Sequence, residues 1–226
     1  MKNRRSAQAK KQAVVLLSGG LDSAVTLYIA RGGGTKCSCL IFDYGQRHRR
    51  EIESGKRIAR KAGCPFQVLK ISLPWKGSSL LDRSMLVPKP ASSIPTTYVP
   101  GRNIIFLSFA LSFAESIGAS AIFIGAHSQD YSGYPDCRPE FFRSFAKVVA
   151  SGTRAGIEKR KIEVKTPLIN KPKAGIIRLG SRLGVPFDLT WSCYRGGRVP
   201  CEECDSCFYR AKGFKEAGLK DPLLRR

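Results

Sequence analysis

The sequence is short of several things, and each shortage narrows what the chain can be. No apolar run approaches the ~20 residues needed to cross a bilayer, so no membrane function is expected. The N-terminal "MKNRRSAQAKKQ" is basic like the start of a signal peptide. The apolar "AVVLL" behind it, however, falls short of the ~7–15 residues an export signal requires. Residues 1–12 therefore read as a solvated basic tail, and a cytoplasmic protein is expected. There is no internal repeat and no long low-complexity segment. Acidic residues are few, 17 against 39 Lys and Arg, which leaves a net charge of +22. Such a surplus can serve a nucleic acid or a small polyanion. The basic runs "KK" at 10–11, "RHRR" at 47–50 and "EKRK" at 158–161 are short, and no aromatics interleave them as a single-strand stacking platform requires. A polynucleotide groove is the less favoured reading. Two phosphate motifs are also missing: no G-x-G-x-x-G follows the first apolar run, and no Walker A lysine precedes a Ser or Thr there.

What is present is regular. Apolar runs alternate with helical patterns: "AVVLL" then "LDSAVTLYIARG", "CSCLIFDYG" then "RREIESGKRIARKAG", and "FQVLKIS" as a third strand. The strong amphipathic helix "RNIIFLSFALSFAESIG" comes next, followed by "ASAIFIGA" as strand, "RPEFFRSFAKVVASG" as helix, "IEVKTPL" as strand and "KAGIIRLGSRLG" as helix. A repeated β-then-α order predicts a doubly wound, mostly parallel sheet with helices on both faces. The expected organisation is a basic tail (1–12), an α/β nucleotide-binding domain (13–188) and a small C-terminal element (189–226). The Pro/Ser-rich stretch from Pro74 to Pro100 is too long for a plain connector and reads as a lid or substrate loop.

Two stretches carry chemistry. In "VVLLSGGLDSAV" a strand breaks at Ser18-Gly19-Gly20 and restarts as helix at Leu21-Asp22-Ser23. Adjacent glycines at a strand–helix junction let backbone amides approach phosphate oxygens at the helix N-terminus. Asp22 beside such a cradle points to a Mg²⁺ partner, since a lone carboxylate would be repelled by phosphate. The second stretch is "CYRGGRVPCEECDSC". Cys193, Cys201, Cys204 and Cys207 have the spacing of a closed four-thiolate Zn²⁺ site, with Gly196, Gly197 and Pro200 supplying the turn. An iron–sulfur cluster would use the same ligands. The remaining thiols, Cys37, Cys39, Cys64 and Cys137, are dispersed, so no disulfide framework is expected.

"SGGLDS" after a first strand resembles the pyrophosphate (PP) loop of the N-type ATP pyrophosphatases, a group with the Rossmann-like adenine nucleotide alpha-hydrolase fold. The later motifs "FDYGQRH", "YVPGRN", "DYSGYPDCRPEF", "TPL" and "LTWSCY", with the cysteine tail, resemble the QueC family of queuosine biosynthesis, the 7-cyano-7-deazaguanine synthases, from about Val14 to about Gly218. Two departures stand out: Gly101 where Ala is expected, and Gly175 where Glu is expected.

The resemblance implies a ligase that converts 7-carboxy-7-deazaguanine, ATP and ammonia to the nitrile preQ0 through an adenylated acid and an adenylated amide. It also implies a structural Zn²⁺, Mg²⁺ with ATP, and a homodimer. It casts Ser18, Gly19, Gly20, Leu21, Asp22 and Ser23 as the ATP loop, and Asp22, Arg102 and Lys173 as the catalytic charges, the alternative for the two cations being plain surface charge. Asp136 and Glu140 become readers of the guanine edge, with helix capping as the competing role. Asp43, Tyr44, Gln46 and His48, with Arg47, are expected in the same crevice, together with Asp130 and Tyr134. Of the two histidines, His48 and His127, either could serve as a base, although this chemistry depends more on electrostatics. Cys137 is expected to pack or hydrogen-bond. A rival function, an ATP-dependent modifier of tRNA or protein, draws on the net charge, but the chain has no length to spare for an RNA-binding domain.

Overall fold

The computed structural model describes residues 11–47, 49–75, 77–82, 84–85, 96–127 and 134–224. The strands are β1 (Gln12–Leu16), β2 (Lys36–Asp43), β3 (Phe66–Lys70), β4 (Ala121–Phe123) and β5 (Glu163–Lys165). The helices are α1 (Leu21–Gly32), α2 (Arg50–Lys61), α3 (Arg102–Ser116), α4 (Pro139–Gly152), the one-turn α5 (Arg154–Ile157), α6 (Lys173–Arg182) and α7 (Asp205–Ala217). Short 3₁₀ turns cover Pro135–Cys137 and Phe187–Leu189.

The strands form one sheet in the order β3-β2-β1-β4-β5, with every pairing parallel. The doubly wound fold expected from the β-then-α alternation is borne out. The chain first winds outward through β2 and β3, then crosses back to place β4 on the other side of β1. That reversal, between β1 and β4, is where open parallel sheets collect ligands.

Strand side chains alternate between two cores, as a pleat with helices on both faces requires. Ala13, Val15, Cys39, Ile41 and Phe123 enter the core beneath α1, α2, α6 and Phe214 of α7. Val14, Leu16, Leu40, Phe42 and Ile122 enter the core beneath α3 and α4. Each fully buried Val, Leu or Ile contributes about 1.5–3 kcal/mol, which holds the sheet rigid under the loops at its carboxyl end.

Three details differ from the expectation. β4 and β5 are shorter than the apolar runs that contain them, because pairing stops where the chain turns into the site. The helix α3 is apolar around most of its circumference: Leu107 and Ala110 are buried, but Ile104 and Phe109 are exposed. Gly101, where the resemblance implied Ala, takes φ +63°, a left-handed conformation that suits glycine. In the long loop, Leu80 and Val99 are buried in the α3 core and Ser79 N–H donates to the Thr96 carbonyl. Residues 86–95, at the centre of the expected lid, lie outside the described residues.

Candidate active site

The loop from Ser18 to Ser23 leaves β1 at the topological reversal. Ser23 Oγ donates to the Gly20 carbonyl (2.9 Å), and Gly20 N–H donates to Ser18 Oγ (3.3 Å). No side chain caps α1, so the positive end of the helix and its leading N–H groups are left for an anion. Gly19 has φ +88°, and a Cβ there would lie 2.1 Å from the Glu51 carbonyl. The loop is thus wedged against the first turn of α2. It is strapped from its other side by Trp191, whose N–H donates to the Gly19 carbonyl (2.9 Å).

Two adjoining cavities open from this loop. The first, about 260 Å³, is walled by Leu21, His127, Lys173, Trp191, Ser192 and Tyr209. The second, about 280 Å³, has an apolar floor from the ends of β1, β2 and β4, including Leu16, Leu40, Phe42 and Ile124. Gly20, Asp22, Glu51, Arg102, Tyr134 and Tyr194 line both, and so mark their junction.

Charge is concentrated at that junction. Lys173, the first residue of α6, donates to both Asp22 oxygens (3.0 and 2.9 Å) and lies 3.1 Å from His127 Nε2. Burial pushes the Asp22 carboxyl up, but the Lys173 and His127 charges outweigh it and hold the group well below the usual carboxylate range. Arg102, at the start of α3, donates to the Tyr44 hydroxyl (3.4 Å). Asp136 orients that helix: its Oδ2 accepts from Asn103 N–H (3.0 Å), while Asn103 Nδ2 donates to the Asp136 carbonyl (3.0 Å). Asp136 therefore caps α3, the neighbour, and not the α4 that follows it in sequence.

The other expected contacts are distributed unevenly. Tyr44, Gln46 and Tyr134 line the cavities. The amide of Gln46 is spent closing its own turn, donating to the Phe42 carbonyl (3.0 Å) and accepting from Tyr44 N–H (2.8 Å). Tyr134 shares a 2.6 Å hydrogen bond with Thr97. Asp43 pairs with Arg49 outside the cavity walls. Glu140 is exposed and paired with Arg143 (2.8 Å), on the solvent side of α4. His48 and Asp130 lie outside the described residues. Cys137 accepts from Asn103 Nδ2 (3.4 Å), and burial pushes its thiol up to about 11, so it is no nucleophile at neutral pH.

Among the cavity residues given no role in the sequence are Glu51, and Trp191 and Tyr194 of "LTWSCY". Glu51 sits in the charged run "RHRRE", which reads as a solvated face; only the packing of α2 on the Gly19 loop brings it inward.

Beside the first cavity, the sulfurs of Cys193, Cys201, Cys204 and Cys207 all lie within 4.8 Å of one another. A tetrahedral ion with Zn–S bonds of about 2.3 Å places its sulfurs at such separations, and Cys201 and Cys207 are 3.9 Å apart. Backbone N–H groups of Cys201 and Cys204 each donate to a cluster sulfur at 3.4 Å, as thiolate ligands accept. The donor set fits a closed, structural metal site. Arg50 of α2 ties it to the domain, stacking 4.0 Å over the Trp191 ring and donating to the Gly197 carbonyl.

The sequence model described as "Queuosine biosynthesis protein QueC" matches residues 12–218. A 7-cyano-7-deazaguanine synthase from Trichormus variabilis is 50% identical over 220 residues, 94% of this chain and 97% of the relative. One from Thermoplasma acidophilum is 49% identical over 95% of this chain and 92% of the relative. A protein named 7-cyano-7-deazaguanine synthase 2, from Desulfitobacterium hafniense, is 51% identical over 94% of this chain and 92% of the relative. Among solved structures, an NMN synthetase from Francisella tularensis superposes with a TM-score of 0.49 at 15% identity, over 94% of this chain and 79% of that one. With its pyrophosphate-type loop, paired cavities and cysteine cluster set against relatives of half-identical sequence and matching length, the chain belongs to the QueC family.

Proposed function

We propose that the protein is an ATP-dependent carbon–nitrogen ligase that makes 7-cyano-7-deazaguanine from 7-carboxy-7-deazaguanine and ammonia. The observation that carries this reading is the uncapped pyrophosphate loop opening into two adjoining cavities with cations at their junction, in a chain whose relatives bear that name. The apolar floor of the second cavity suits adenosine. The first cavity, bordered by aromatic Trp191 and Tyr209, suits the deazaguanine.

The substrate carboxylate at the junction then meets the α-phosphate. Its oxygen attacks phosphorus, and pyrophosphate leaves toward the α1 N-terminus. Arg102 and Lys173 offset the negative charge that develops there. Ammonia displaces AMP to give the amide, and a second adenylation on the amide oxygen followed by loss of AMP gives the nitrile. Asp22 is the carboxylate placed to meet Mg²⁺ brought by ATP, and Lys173, bonded to Asp22 here, is placed to turn to the phosphates. Zn²⁺ in the four-cysteine site would brace the wall that carries Trp191, with no open position for chemistry.

No described helix is long and apolar enough to cross a membrane, and we place the enzyme in the cytoplasm. A homodimer that covers exposed Ile104 and Phe109 is the assembly to test by sedimentation. The decisive experiment for function is mass spectrometry of products from purified protein, ATP, Mg²⁺, an ammonium salt and 7-carboxy-7-deazaguanine. Nitrile and AMP are the expected products. ATP binding with the deazaguanine untouched would overturn the substrate assignment and direct the search to tRNA.

A further inference from the structure

We propose that Glu51 is the proton acceptor of this reaction, a catalytic residue that takes the N–H protons shed by nitrogen as the amide and then the nitrile form. The inference rests on the ligase reading above and deepens it. If each cavity takes one substrate, the reacting carbon and the α-phosphate must meet where the cavities join. Glu51 lines both. Its main chain is fixed there as well, because the Glu51 carbonyl abuts Gly19 of the phosphate loop. Loop and carboxyl therefore share one anchor at the first turn of α2.

The chemistry requires such a group. In the first round ammonium must lose a proton before it can attack the acyl adenylate. The C–N bond forms, the C–O bond to AMP breaks, and the nitrogen sheds a second proton to become the neutral amide. In the second round the amide oxygen bonds to the α-phosphorus as pyrophosphate leaves and an N–H proton departs. The last N–H proton leaves as the C–O bond to AMP breaks and C≡N forms. No electrons enter or leave, and each proton passes from the carboxylate to bulk water between steps.

The neighbours narrow the choice of base. Asp22 is held ionised by Lys173 and His127 and is too weak a base. The Cys137 thiol is pushed up to about 11, and burial raises the phenols of Tyr44, Tyr134 and Tyr194. Asp205 reaches only the first cavity. The walls of the two cavities also carry Arg102 from α3, Asp22 from α1, Lys173 from α6, His127 after β4, Tyr44 after β2 and Tyr194 from the C-terminal segment. Burial, the largest cause, pushes the Glu51 carboxyl above the ordinary carboxylate range, with Arg102 pulling the other way. A carboxyl raised toward neutrality where the two cavities meet is suited to proton transfer there.

The test compares wild type, Glu51→Gln and Glu51→Asp, fed either the carboxy compound with ammonium or the amide alone. The amide half needs no ammonia, so its pH profile is free of ammonium titration. Wild type should lose rate as pH falls through an apparent pKa above the ordinary carboxylate range. Glu51→Gln should lower kcat by about 10²–10⁴-fold, lose that acid limb and keep the KM for ATP. Glu51→Asp, which keeps a carboxyl should the Gln variant misfold, should retain the limb at reduced rate. A Glu51→Gln enzyme with wild-type kcat and profile would overturn the proposal. So would a raised KM for ATP at unchanged kcat, which would make Glu51 a nucleotide-positioning group. If wild type turns over neither substrate, the ligase reading itself falls, and this inference with it.

Discussion

Replacing Gly19 by Ala tests whether the phosphate loop is held by contact with α2. The new Cβ would stand 2.1 Å from the Glu51 carbonyl and 2.7 Å from Gly55 N, both backbone atoms that cannot swing aside. The residue would also keep φ near +88°, where L side chains are strained. Left-handed backbone costs about 1–2 kcal/mol and overpacking about 1–3 kcal/mol, so the sum is about 2–5 kcal/mol. For a chain of this length each kcal/mol moves Tm by about 2–4 °C, and a fall of about 4–20 °C is expected. Gly20→Ala is the control. Its Cβ meets nothing nearer than Ser18 Oγ at 3.5 Å, so the fold should survive, but the methyl projects where a phosphate must approach. Thermal melts with and without Mg-ATP separate the two. ATP at a hundred times its Kd contributes about 2.7 kcal/mol, a rise of about 5–11 °C for wild type. Gly20→Ala should melt like wild type and lose that rise. A Gly19→Ala protein that melts like wild type and still responds to ATP would refute the wedge.

Other outcomes follow from the same contacts. Chelating the metal, or changing Cys193→Ser, should release Trp191, which donates Nε1–H to the Cys193 carbonyl and N–H to Gly19; red-shifted tryptophan emission should accompany loss of the ATP response, and unaltered ATP binding after complete metal loss would break the link. Arg210 and Asp221 form an ion pair with side chains only 5% and 4% exposed, and Arg210 also donates to Thr190 Oγ1 and the Phe187 carbonyl. Arg210→Met should cost about 3–5 kcal/mol in denaturant melts, and adding Asp221→Leu should restore only part of it, because Thr190 Oγ1 and the Phe187 carbonyl still lose their charged donor. Asp22 is held below its unfolded value of 3.8, so its contribution to stability is present above that pH and lost as pH falls below it. Asp22→Asn should therefore flatten the acid end of the stability profile, and an unchanged acid midpoint would count against the Lys173–Asp22 pairing.

Much of the fold was legible because strand and helix periods are local. The switch from "AVVLL" to "LDSAVTLYIARG" marks β1 and α1, and the spacing of four cysteines marks a cluster before any contact is known. The site was legible in its loop and less so around it. Asp136 and Glu140 lie four residues apart and invite a common role, yet one turns inward under α3 and the other pairs with Arg143 in solvent. A chain cannot show locally which face of a short 3₁₀ turn meets a helix that began thirty-odd residues earlier. Glu51 was hidden for the opposite reason, its neighbours in sequence being solvated cations while its neighbours in space are the cavity walls. Local composition reports exposure only when nothing distant packs on top.

The all-parallel sheet also divides the molecule into a working rim and an idle one. The loops that meet substrate in this reading follow the carboxyl ends of the five strands, joined by the segment after α6 that carries Trp191 and Tyr194. The turns at 33–35, 62–65 and 117–120 close the opposite end. Inserted tags or fused partners at the exposed glycines of those turns, Gly33, Gly34, Gly63 and Gly118, stand at the end of the sheet away from the chemistry, which can stay constant while they change.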